Sequence, residues 1–128
     1  MGQIAEQVHN RFKVFAGPLH EDNTIGPLAE EVARFVRESG AAAKSIGVEY
    51  LESADRLVVT LGYRDDEGGY PVRLSSVSLG KIEALGSDFG ELESRMARAS
   101  AGFHNIICHE LYVTEEHDFM MIFMTHEA

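Results

Sequence analysis

Of cysteine the 128-residue chain has one, Cys108, so no disulfide can form within it. Its stability must come from a hydrophobic core, and a chain this long buries roughly two thirds of its unfolded surface as one domain. A single thiol fits a reducing compartment, and a cytoplasmic location is expected. Bases are also scarce: 11 Lys and Arg stand against 21 acids, a net charge of −10. Such a surface repels phosphate backbones, and its bases stand singly. Even Arg95 and Arg98, the densest stretch, follow acids one helical turn earlier. Nucleic acid is therefore excluded as a partner.

Long apolar runs are missing too. The densest is FMMIFM at 119–124, whereas a bilayer span takes about 20 residues. The opening MGQIAEQVHNRF has neither the apolar stretch nor the early positive charge of a signal peptide. No membrane is expected.

Neither Gly-x-Gly-x-x-Gly nor the P-loop pattern occurs, which leaves nucleotide binding through those sites without support. Asp88-Phe89-Gly90 matches a kinase magnesium motif, but the Gly-rich loop, strand lysine and catalytic loop that must accompany it are absent. Ser75, Ser76 and Ser78 lie in no nucleophile elbow. Asp65, Asp66 and Glu67 lack the glutamate that closes a calcium loop at its twelfth position, and a solvated hairpin tip accounts for them. No cofactor and no catalytic residue is assigned, and the chain does not read as an enzyme.

What is present is periodicity. Ile4, Val8, Phe12 and Phe15 fall on one face of a helix, with a strand over 11–15 as the competing assignment. Pro27 suits a first helical position and Gly40 a C-terminal cap, with Leu28, Val32, Phe35 and Val36 as the apolar stripe between them. The period then changes to two: GVEYLES, RLVVTLGYR and YPVRLSSVSL read as strands joined by short turns. Phe89, Leu92, Met96, Ala99 and Phe103 form another helical seam, for which Ser87 or Asp88 is the cap. Two further strands, 105–114 and 118–126, close the sequence. The expected fold is one α+β domain spanning 1–128, in the order α-α-β-β-β-α-β-β. About five antiparallel strands would form a single sheet with the helices mainly on one face. No internal repeat is visible. In layout and acidity, though not in its last element, the chain resembles the dimeric secretion chaperones that bind partly unfolded effectors. The resemblance implies a binding role rather than catalysis.

Residues 104–128 hold four of the six histidines, the cysteine and three of the five methionines. A hairpin with an even-numbered loop places Thr114 opposite Phe119 and His109 opposite Met124. Alternation then groups Ile107, His109, Leu111 and Val113 with Met120, Ile122, Met124 and His126. Cys108 and His109 point apart. One diagonal pair remains as a metal candidate, His109 and His126, about 7–8 Å apart, whereas zinc takes three or four protein ligands. The functional expectation is a non-enzymatic protein-binding module, an adaptor, chaperone or regulatory subunit that forms a homodimer. Its terminal strand would pair at a sheet edge through Met120, Ile122 and Met124. The alternative is a small-ligand or metal-binding protein or simple enzyme, with a pocket between sheet and helices lined by His109, His126, Glu110 and Tyr112.

Overall fold

The structure is a computed structural model and describes residues 9–18, 25–54, 56–85, 89–114 and 116–127. The strands are β1 (Asn10–Gly17), β2 (Ala41–Leu51), β3 (Arg56–Gly68), β4 (Val72–Lys81), β5 (Ile106–Val113) and β6 (Asp118–His126). Two helices span several turns, α1 (Gly26–Ser39) and α3 (Phe89–Ala99), and α2 (Ile82–Leu85) is a single turn. The strands form two antiparallel three-stranded sheets, ordered β1-β3-β2 (sheet A) and β4-β6-β5 (sheet B). This corrects the expected single sheet of about five strands and the α-α start. The run β2-β3-β4, taken as one meander, is divided between the sheets at the Gly69–Pro71 link.

The first predicted helix is in fact strand β1 over its described part, while Ile4 and Val8 lie outside the described residues. Phe12 and Phe15 are three apart and so share a helix face, but a strand sends them to opposite faces. Phe15 turns inward, its ring 6.0 Å from Phe35 of α1, and Phe12 turns outward. Aromatic and β-branched residues fit a pleated surface, and the open edge of β3 decides between the two periods. α1 matches its expected bounds. Pro27 stands in its first turn, and Gly40 ends it in the left-handed region at φ 67°, its N–H bonded to the Val36 carbonyl at 2.9 Å. The predicted cap of the later helix, Ser87 or Asp88, lies outside the described residues.

The two sheets repeat one topology. β1-α1-β2-β3 and β4-α3-β5-β6 each place the last strand of the unit between the other two. Periodic reading cannot detect this repeat because the two units bury different faces. Sheet B is covered on both sides. Met120, Ile122 and Met124 enter the main core with Leu57, Val59, Leu61 and the α1 stripe Leu28, Val32 and Val36. Met121 and Phe123 face the other way, onto Leu92, Met96 and Ala99 of α3. Sheet A has only its inner face in the core. Arg95 fastens α3 to β4 by donating to the Leu79 carbonyl at 2.6 Å, and it also donates to Glu91, one turn earlier on α3, at 3.0 Å.

Candidate functional site

The terminal hairpin has an odd loop. The Thr114 N–H donates to the Asp118 carbonyl at 3.0 Å, the His117 N–H donates to the Thr114 carbonyl at 2.9 Å, and His117 sits at φ 66°. A three-residue loop ending in a left-handed residue is the next common hairpin after the two-residue kind. It shifts the register by one from either even loop, so Val113 faces Phe119 and His109 faces Phe123. One step of slip moves every side chain of one strand to the other face relative to its partner. Cys108 and Tyr112, not His109, therefore share the core face with Met120 and Met124.

The structure thus separates His109 from His126. His109 lies with Met96, Ala97, Ser100, Ile106 and Met121 on the α3 side. His126 pairs opposite Val72 at the far end of β6, and its ring meets Tyr70 edge-on at 5.7 Å. Tyr112 is buried in the main core, and Glu110 stands opposite Ile122. The three methionine-strand residues offered for self-association are core: Met120, Ile122 and Met124 are each 0% exposed. β6 is the middle strand of sheet B, so its ladder is occupied on both sides and no edge is left for a partner.

Cys108 is half-buried against the backbone of Ile46, and burial pushes its thiol up to about 11. The thiolate is the reactive form, so in the folded protein a thiol reagent should react about a hundredfold more slowly than with a free cysteine. Timed labelling at pH 7.5, with and without denaturant, measures this. Equal rates would place the thiol at the surface.

Among the described residues one group has metal-ligand character: His9, Asp65 and Asp66, with ligand atoms within 4.8 Å of one another. Its carboxylates are already engaged. Arg11 Nε lies 2.7 Å from Asp65, His9 Nδ1 3.0 Å from the same group, and Arg64 holds Asp66 at 2.6 Å. The Arg11–Asp65 pair ties β1 to β3, the Arg64–Asp66 pair lies within β3, and both guanidiniums compete with a cation. The Arg11 guanidinium, with His9 second, holds Asp65 below the usual carboxylate range, and Arg64 does the same for Asp66. A depressed acid contributes stability above its unfolded pKa and loses it as pH falls through the folded value. Asp65→Asn should therefore lower the melting temperature at neutral pH, and the gap to the parent should close below about pH 4. Melting curves from pH 7 to pH 2 check the sign.

The outer face of sheet A is the surface the fold leaves open. By alternation it carries Phe12, Val14 and Ala16 from β1, Val58, Thr60 and Gly62 from β3, and Ser45, Gly47, Glu49 and Leu51 from β2. Phe12 is 73% exposed, Val14 61% and Leu51 43%. The Phe12 ring lies over Gly62, its Cε1 3.5 Å from where a side chain would begin, and Thr60 Oγ1 fills the space beside Gly47. The relief is uneven, high at Phe12 and Val14 of β1 and low at Ser45 and Gly47 of β2, with Glu49 and Leu51 rising at the far end of β2. Sequence reading missed this face because it put Phe12 in a helical stripe; the alternation of RFKVF was the signal that finds it.

A second concavity lies where β2 meets β5, at the seam between the sheets. It encloses about 300 Å³, with Ala43, Val72 and Ile107 as apolar lining and Tyr70 and His126 at one side. Lys44 and Glu67, paired at 2.9 Å, line it as well.

Comparison with protein-family models, curated proteins and solved structures found no match to this chain. No described helix is long and apolar enough to cross a membrane.

Proposed function

We propose that the chain is a non-enzymatic protein-binding module, an adaptor, chaperone or regulatory subunit, that presents the outer face of sheet A to its partner. The observation that carries this reading is the difference between the two sheets. α3 covers the face of sheet B that turns away from the main core, and the face of sheet A that turns away from it keeps Phe12, Val14 and Leu51 in solvent. Contiguous exposed apolar surface on an otherwise charged protein marks interaction sites. The test is the double substitution Phe12→Ser with Val14→Thr. Exposed positions contribute little to folding, so the melting temperature should stay near the parent's. Association with protein partners, including the chain itself, should fall more than tenfold by quantitative co-purification. An unchanged set of partners would refute the reading.

A small-ligand reading draws on the seam cavity, whose volume falls at the low end of ligand sites and whose position between two structural units is a common one for them. It predicts a compound that raises the melting temperature of the parent and not of Tyr70→Ala.

A further inference from the structure

We infer that the outer face of sheet A binds a second copy of this chain, face to face, with the two-fold axis running along β3; the inference rests on the binding role proposed for that face. Shape is the first ground. The bulky residues Phe12 and Val14 stand in one column, on β1, and the small residues Ser45 and Gly47 in the column on the other side of β3. Rotation about an axis along β3 exchanges the β1 and β2 columns. Each copy's Phe12 and Val14 then descend onto the other's Ser45 and Gly47. One face supplies both a high column and a lower one, floored beside Gly47 by Thr60 Oγ1, as an isologous interface requires.

Charge is the second ground. The chain carries −10, yet the charged side chains on this face sum to zero. Arg64 is neutralised by Asp66 at 2.6 Å, and Glu49 and Arg56 are single opposite charges at one end of the face. Both stand free of ion pairs among the described residues. Two copies can therefore approach here without the repulsion that the rest of the surface imposes. Arg56 of each copy lies within side-chain reach of the other's Glu49.

Size sets the expected strength. Three strands spaced about 4.8 Å apart, with about 3.3 Å per residue, give a projected face of about 14 by 25 Å, or about 350 Å². A stable interface takes about 800 Å² from each partner. The dimer is accordingly weak and reversible, populated at high micromolar concentration and monomeric below it.

The experiment combines sedimentation velocity from 5 to 500 μM with a photo-crosslinking phenylalanine analogue placed at position 12, illuminated in purified protein and in cells. The expected result is concentration-dependent dimer, and a covalent dimer whose crosslink maps to β2 near Ser45 and Gly47. Ser45→Trp raises the low column at an exposed position, so it should abolish both signals while leaving the melting temperature unchanged. Arg56→Glu should weaken the dimer, and adding Glu49→Arg should restore it. A monomer at every concentration, with crosslinks in cells only to other proteins, overturns the self-association and leaves the binding face standing. No crosslink in either setting removes both. A dimer that crosslinks elsewhere, or that survives Ser45→Trp, overturns the proposed geometry.

Discussion

Phe123→Ala should destabilise the protein by about 3–5 kcal/mol, the cost of removing a fully buried aromatic side chain. Phe123 lies on the α3 side of the middle strand of sheet B and is 0% exposed. Its ring meets Phe103 at 4.7 Å and 74°, and the same cluster holds Met121 and Leu79 under the Leu92 and Met96 side of α3. The cavity left behind cannot collapse easily, because β6 is pinned by ladders on both sides. Chemical denaturation with far-UV detection gives the free energy. A loss under about 1 kcal/mol would mean that α3 moves down to fill the space, a relaxation that the cavity cost assumes to be partial.

Gly69→Ala should cost about 2–3 kcal/mol, in the range of an overpacked core, without removing any contact. Gly69 links the two sheets, and its N–H donates to the Gly40 carbonyl at 3.0 Å. A methyl group there would strike the Ala41 carbonyl oxygen and stand 2.6 Å from Ala42 Cα. Backbone cannot swing aside as a long side chain does, so either the link or the start of β2 must shift. The contrast is Gly80, where the obstruction is the Arg95 guanidinium, although its φ of 98° adds backbone strain. Equilibrium unfolding of Gly69→Ala should show a lowered midpoint with an unchanged slope. A midpoint equal to the parent's would show that the two sheets tolerate a wider spacing at this corner.

How much of this could be read from the sequence depended on whether the deciding interaction was local. α1 was legible because its proline, stripe and capping glycine all lie within it. β3 to β6 and the GVEYL part of β2 were legible as strands from their period, whereas residues 41–45 also suited a helix extension or a turn. The division of the strands into two sheets was not legible, since a three-residue link permits either continuation or departure. β1 failed for a similar reason: RFKVF satisfies both periods, and the partner that selects the strand, β3, is some fifty residues away. Whether the two histidines share a face turns on a single count. Even loops keep His109 and His126 together, and the odd loop closed by left-handed His117 parts them. The methionine strand was recognised as too apolar to stand uncovered. Its cover turned out to come from within the chain, with α1 and sheet A on one side and α3 on the other.

The repeated β-α-β-β topology has a consequence for cooperativity. Each sheet is drawn from one contiguous half of the sequence, so among the described residues no strand ladder crosses the boundary at 69–71. The halves meet through buried side chains of α1, β2 and β5, with the Ile25 N–H to Ser76 hydroxyl bond at 3.3 Å among their few polar ties. Attraction of that kind weakens on cooling, whereas the hydrogen-bonded ladders within each half do not share this dependence. Cooling toward the freezing point should therefore weaken the contact between the halves before it weakens the ladders within them.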